Sequence, residues 1–183
     1  PTLVSPIVEL NMSHGFWEKL PRPFFALAPM ADVTDAAFRR LIAKYGKPDV
    51  TWTEFVAVDG LVSRGREALL IDLLYTEAER PIVAQVFGSK PEHFAEVATL
   101  IADLGFDGID INMGCPDRNG EKQGAGAAMM KDPGLAKAVI LAAKEGSRGL
   151  PVSVKTRSGY NSVQLVTWLP ELLSVQPAAI TVH

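Results

Sequence analysis

The chain has one cysteine, and its setting is one where chemistry is readily placed. Cys115 lies between Gly114 and Pro116 and follows Asp107-Gly-Ile-Asp-Ile-Asn-Met113, in which Ile109 and Ile111 alternate with Gly108, Asp110 and Asn112. That alternation is the pattern of a strand, and the glycine and proline end it abruptly. A thiol at the point where a parallel strand hands over to a loop sits where α/β enzymes put their reactive groups. A lone cysteine is more often a small buried hydrophobe. The Gly-Cys-Pro loop after a strand is what favours function here.

Other side chains converge on the same level. In Pro151–Arg157, Val152 and Val154 share one face while Ser153 and Lys155 share the other; in Ala179–His183, Ile180 and Val182 oppose Ala179, Thr181 and His183. If the aliphatic sets pack under helices, the last inward residues of three successive strands are Asn112, Lys155 and His183. Gln85 fits less cleanly, because Val83 shares its face. Hydrogen-bonding and ionisable groups gathered at one end of a sheet point to a pocket. Taken alone, Lys155 would be read as snorkelling to the rim. Arg118 and Lys122 lie in the Cys115 loop and can meet an anionic ligand, whereas Arg39, Arg40, Lys44 and Lys47 read as a solvated helix face. His14 and His93 have no ligand spacing with His183, so no metal site is expected. Gly124-Ala-Gly-Ala-Ala128 is neither a P-loop nor a dinucleotide fingerprint. It suits a close backbone contact as well as a ligand-hugging loop.

The elements that must position these groups alternate. Phe24–Met30 is an apolar run that reads as a buried strand. Asp32 or Thr34 can cap the following helix, whose Phe38, Leu41, Ile42 and Tyr45 form one stripe. Val50–Phe55 is a second strand, with a helix expected over Leu61–Ala68 and no assignment for Leu69–Arg80. Pro81–Val86 is a third strand. Ser89-Lys-Pro-Glu92 has the form of a capping box and opens a helix carrying Phe94, Val97, Ala98, Ile101 and Leu104. Asp132-Pro133 opens another, closed by Gly146. Gln164–Leu173 is helical, with a break or kink expected at Pro170. Six strand–helix alternations predict a parallel sheet with right-handed crossovers. A TIM (β/α)8 barrel needs eight such units in typically about 250 residues. The expected fold is therefore an incomplete TIM barrel of about six βα units, with a complete doubly wound sheet as the runner-up.

Composition sets the outer limits. The chain has 183 residues, is 48% hydrophobic and carries a net charge of −3, an ordinary globular balance with material for a core. One cysteine permits no internal disulfide and fits a reducing compartment. No apolar run is long enough to span a membrane, and the N-terminus lacks signal-peptide features. A cytoplasmic protein is expected, with no membrane partner. The chain starts at Pro1 and ends within a strand, so it reads as truncated. Met12 is a candidate natural start, and residues 1–11 are upstream sequence or a disordered arm.

Six ordered motifs then carry a resemblance. Ala28-Pro-Met-Ala-Asp-Val-Thr-Asp35, Ala84-Gln-Val-Phe-Gly88, Asp110-Ile-Asn-Met-Gly-Cys-Pro116, Gly124-Ala-Gly-Ala-Ala128, Val154-Lys-Thr-Arg157 and Thr181-Val-His183 resemble those of the tRNA-dihydrouridine synthases, from about Phe24 to the end. The combination is specific, although no single motif is. The resemblance implies an FMN-binding TIM barrel that reduces uridines of tRNA to 5,6-dihydrouridine, with NADPH (or NADH) as reductant. It implies that Pro29, Met30 and Ala31 line the flavin, that Gln85 and Lys155 bind its ring, and that His183 contributes to the same site. Asn112 would lie beside flavin and uracil, Arg118 and Lys122 would contact the RNA, and Cys115 would be the proton donor. A thiol with an unperturbed pKa of about 8.5 is mostly protonated at neutral pH and can donate. The base would be drawn out of the folded RNA into the pocket.

The resemblance also frames what is missing. It divides the chain into an arm, residues 1–23, and a partial barrel, residues 24–183, without strands 7 and 8 or the family's C-terminal helical tRNA-binding domain. Flavin barrels place a phosphate site after strands 7 and 8. The isolated 183 residues are therefore expected to bind FMN weakly or not at all, to be inactive, and to expose the apolar flanks of strands one and six. At full length a monomer is expected. The loop Asp117-Arg-Asn-Gly-Glu-Lys-Gln123 departs from the Lys-Val-type pair that many relatives carry after Cys-Pro. The main alternative is an FMN-dependent barrel oxidoreductase for a small molecule, of the dihydroorotate dehydrogenase or ene-reductase type. A phosphate-binding isomerase or lyase with Lys155 as Schiff-base former is a third reading, and a non-catalytic RNA-binding fragment a fourth. The acidic balance and the lack of an aromatic–basic platform oppose the fourth.

Overall fold

Strands whose two faces differ in chemistry set the frame. The computed structural model describes residues 14–183, and the expectations for residues 1–11 and Met12 lie outside them. Six strands, β1 (Ala26–Leu27), β2 (Val50–Ala57), β3 (Ile82–Phe87), β4 (Gly108–Met113), β5 (Val152–Thr156) and β6 (Ile180–Val182), form one sheet. Every pairing is parallel, and the order along the sheet is the order in the chain. A doubly wound sheet reverses direction at a switch point. This sheet never does, so it is an incomplete TIM barrel and the runner-up fold is excluded.

Helices cover the outer face. They are α1 (Ala36–Gly46), the one-turn α2 (Val58–Leu61) and α3 (Arg66–Leu69), α4 (Pro91–Asp103), the short α5 (Arg118–Lys122), α6 (Pro133–Gly146) and α7 (Leu165–Leu173). Ile109, Ile111, Val152 and Val154 are buried against Phe94, Val97 and Ile101 of α4 and Val139 and Ile140 of α6. The aliphatic set of each strand thus faces the helices, as its alternation predicts. Gly146 approaches α4 so closely that a Cβ there would lie 2.0 Å from Ala95 O. The Asp132 side chain caps α6 by accepting from Leu135 N at 3.0 Å, as expected.

A second apolar cluster closes the floor of the barrel, at the strands' N-terminal ends. Val50, Trp52 and Val83 are buried there under Phe16 and Trp17 of a 3-10 turn, Gly15–Lys19, and Leu20 just after it. Trp17 packs against Phe16 and Trp52 with ring centroids 4.6 and 5.7 Å away. Val83 therefore does share the inner face with Gln85. It faces inward because it belongs to this apolar floor.

Several local expectations are corrected. Phe24–Met30 is not a buried strand. Only Ala26 and Leu27 pair, Phe25 is 77% exposed, and Phe24 and Met30 are exposed too. β1 has a neighbour on one side only, so half its flank goes uncovered among the described residues. Val182 of β6, at the other edge, is likewise exposed. Asp35, rather than Asp32 or Thr34, caps α1, accepting from Phe38 N at 2.7 Å. Tyr45 is 74% exposed and Leu41 faces solvent, while Arg39, expected on the solvated face, is 1% exposed. The single helix expected over Leu61–Ala68 is two separate turns, α2 and α3. Ser89 forms no capping box; Lys90 is the N-cap of α4 without a side-chain cap, and Pro91 opens the helix. The chain does hold a capping box, at Thr76 and Glu79, in the segment left unassigned. α7 runs unbroken through Pro170.

Candidate active site

The parallel register stacks inward-facing residues in rows. Trp52 pairs with Val83, and Val83 with Gly108, at the floor. One step up, Phe55, Gln85, Asp110 and Ser153 stand side by side. A register shift between Trp52 and Phe55 brings Phe55 into that row. Such a shift re-aims a side chain where a strand meets a site. At the mouth, Asn112, Lys155 and Thr181 form the third row. The ladder converts spacing along the chain into neighbours in space.

The middle row is polar and sealed. Gln85 and Asp110 have no exposed surface. Gln85 Nε2 donates to Asp110 Oδ2 at 2.6 Å, and Ser153 Oγ donates to Asp110 Oδ1 at 2.6 Å. Burial pushes the Asp110 carboxyl up to about 6, against the opposing pull of the Gln85 and Ser153 hydrogen bonds and the Lys155 charge. Asn112, 7% exposed, donates through Nδ2 to Gln85 Oε1 at 3.2 Å. Its Oδ1 accepts from Gly114 N at 3.0 Å and Cys115 N at 2.9 Å. One side chain thus folds the chain back over the end of β4 and fixes the cysteine at the mouth.

A second clamp comes from the small-residue segment. Ala127 N donates to Cys115 O at 2.9 Å. Gly126, at φ +61°, lies so close that a Cβ would stand 2.5 Å from Cys115 O. Of the two readings left open for Gly124–Ala128, the described contact is close backbone packing on the cysteine loop. Cys115 itself is partly buried and free. A recess of about 210 Å³ lies beside it, lined by Phe55, Phe87, Asp117, Gly120 and Gly126.

The remaining candidates fall into place at different depths. Lys155 is partly buried, and its side chain makes no hydrogen bond or salt bridge among the described residues. With Pro29, Ala28 and Thr181 it lines a cavity of about 500 Å³ between the two edge strands. Pro29 is partly buried, and Met30 and Ala31 are exposed on the loop after β1. Met30 is nevertheless fixed: its N–H donates to Thr34 Oγ1 at 3.0 Å, and Thr34 Oγ1 donates to Met30 O at 3.1 Å. His183 is exposed beyond β6, held through its backbone to Thr156 and Ser158. Arg118 and Lys122 are exposed on α5, the turn that follows the Cys115 loop and whose Gly120 lines the recess beside the thiol. Among the described residues no group of three or more His, Cys, Asp or Glu side chains is placed to hold a metal ion, and no helix is long and apolar enough to cross a membrane.

Asp110, Ser153 and Gly126 are site residues beyond those expected from the sequence. Asp110 and Ser153 carried a signal, since each shares the parity of a chosen residue two positions on. Whether the residues suit a flavin can be judged from Lys155. A partly buried cation on an inner face beside an apolar cavity fits a planar ring that becomes anionic on reduction, as an isoalloxazine does.

Comparison with known proteins adds a lineage. A family model described as dihydrouridine synthase matches residues 26–183. A protein of Bacillus subtilis (strain 168) named "Probable tRNA-dihydrouridine synthase 2" is 45% identical over 174 residues, 94% of this chain and 53% of its own length. Proteins named "Probable tRNA-dihydrouridine synthase" are 42% identical over 94% of this chain in Staphylococcus aureus (strain COL), where the match covers 52% of the relative, and in Staphylococcus epidermidis (strain ATCC 35984), where it covers 53%. The chain spans about half the length of the curated relatives it matches.

Proposed function

The chain belongs to the dihydrouridine synthase family, and from that premise we propose that the protein, at the length of its relatives, is an oxidoreductase that reduces uridine in tRNA to 5,6-dihydrouridine. The observation that carries the reading is the placement of Cys115. It is held by Asn112 and packed against Gly126 at the mouth of β4, one strand from Lys155.

When bound, FMN reduced by NADPH (or NADH) supplies a hydride to C6 of the uracil ring. Lys155, Pro29, Met30, Ala31, Gln85 and His183 would hold that cofactor. Lys155 carries the positive charge that a reduced, anionic ring needs beside it. Gln85 is buried, so its part is to support the floor of the ring's site through its partners. Cys115 Sγ–H gives its proton to C5, where the enolate carries charge, so one hydride and one proton complete the product. Asn112 orients the thiol and borders the base. Arg118 and Lys122, solvent-facing on α5, would meet the RNA backbone. A cytoplasmic location goes with this substrate.

The test is to incubate the intact protein with FMN, NADPH and unmodified tRNA and assay dihydrouridine by nucleoside mass spectrometry, with Cys115→Ala alongside. Product from the wild type and almost none from the variant supports both substrate and proton donor. NADPH oxidation without any change in tRNA would shift the reading to a small-molecule reductase of the same fold, and orotate and small enones would be tried next.

A further inference from the structure

The polar chain beneath Cys115 has a direction. At its upper end are two backbone N–H groups, of Gly114 and Cys115, which can only donate. At its lower end is an ionised carboxylate, Asp110, which can only accept. Two amides, Asn112 and Gln85, lie between. Each must accept from above and donate below for every link to be made, and that is the arrangement observed. Reversing either amide would set donor against donor or acceptor against acceptor.

We infer that Asp110 is a positioning residue: its acceptor-only carboxylate sets the orientation of the Gln85 and Asn112 amides and, through them, holds the backbone of Gly114 and Cys115, and so the thiol, at the mouth of the barrel. This rests on the reading of Cys115 as the working thiol. Asp110 touches neither the thiol nor the mouth, so it acts through its neighbours. An asparagine would fill the same space, but its amide could turn its NH2 towards Gln85 Nε2, setting donor against donor and losing the lower link that supports the chain. Burying a charge is costly unless it is well paired. Here the carboxylate is met by Gln85 from β3, Ser153 and the charged Lys155 from β5, with the Trp52 indole of β2 nearby. Ser153 satisfies the other carboxylate oxygen and has no part in the direction of the relay.

The experiment measures hydrogen exchange at the Gly114 and Cys115 amides of the intact protein. Asp110→Asn is expected to speed exchange at those two amides by about tenfold, the worth of one hydrogen bond, while Ile109 and Ile111 keep their protection. Ser153→Ala is expected to leave both amides unchanged. In the wild type, protection corrected for intrinsic rates falls as the pH drops below about 6, where Asp110 takes up a proton and becomes a donor; Asp110→Asn shows no such break. Unchanged exchange in Asp110→Asn, equal effects of the two variants, or a loss spread along all of β4 would each overturn the relay. The readout is independent of turnover, so it stands or falls apart from the Cys115→Ala test of function.

Discussion

Arg39 and Glu79 are paired out of contact with solvent, Nε to Oε2 at 2.8 Å across 40 residues of chain. Arg39 also donates to Thr34 O at 2.7 Å and to Leu74 O, and Glu79 Oε1 accepts from Thr76 N at 2.7 Å and Thr76 Oγ1 at 2.9 Å. Since Thr34 holds Met30, the pair ties the loop after β1 to the loop before β3. Removing one partner of a buried pair leaves an uncompensated charge. Arg39→Met is therefore expected to cost about 3–5 kcal/mol, measured by urea denaturation. A loss below about 1 kcal/mol, the level of a surface pair, would show that the charge finds water instead.

Gly126→Ala tests the clamp on the cysteine. The new Cβ would collide with Cys115 O, 2.5 Å away, on a backbone at φ +61° that only glycine adopts without strain. The loop must move, and displacement of a reacting group by about 1 Å can cost on the order of 100-fold in rate. Dihydrouridine formation should fall by that order, while the far-UV circular dichroism stays that of the wild type. Wild-type turnover in Gly126→Ala would mean that the thiol needs no such clamp.

Asp110 should leave a mark on the pH dependence of stability. Its carboxyl titrates near 6 in the folded protein and at 3.8 when unconstrained, so between these values the folded state holds the extra proton. Stability contributed by this group then rises as the pH falls through 6 and levels off below about 4. At roughly 1.4 kcal/mol for each pH unit of displacement, the gain is up to about 3 kcal/mol. Asp110→Asn removes the titrating group and with it this gain. Denaturation from pH 7.5 to 4.5 should therefore show the wild type gaining on the variant as the solution is acidified; parallel curves would place the Asp110 titration elsewhere.

Gly146→Ala probes the seam between α4 and α6. A Cβ 2.0 Å from Ala95 O cannot be absorbed by a side-chain rotation, because the obstacle is backbone. The helices must separate, breaking the Thr99 Oγ1 to Gly146 O hydrogen bond of 3.0 Å. Overpacking of this kind costs about 1–3 kcal/mol. A melting temperature equal to the wild type's would mean that the helix end frays instead.

What could be read in the sequence follows from how local the determinants are. β4 and β5 were legible because their two faces meet different surroundings, helices on one side and a polar interior on the other. Parity alone therefore placed Asn112 and Lys155 in one row. The floor was not legible, since Val83, Trp52 and Trp17 find each other only after the strands register. Arg39 was misread because its partner is 40 residues away and helical periodicity carries no trace of it. Phe24–Met30 was misread because an apolar run says nothing about whether a neighbour covers it, and β1 pairs on one side only. Asp110 had the right parity but no local sign that it anchors Gln85, 25 residues back.

The Gly15–Lys19 turn under the barrel has a consequence in time. His14 Nδ1 lies 3.3 Å from Ala178 O, 164 residues along the chain, and Phe16 sits against Gly108. Contacts so distant in sequence form late, because the loop between them must first be closed. The first described residues to leave the ribosome thus complete their contacts only after Ala178 has followed. Until then the turn is held by its packing on Val50, Trp52 and Val83, and the unfinished barrel exposes apolar surface of the kind that aggregates or recruits chaperones.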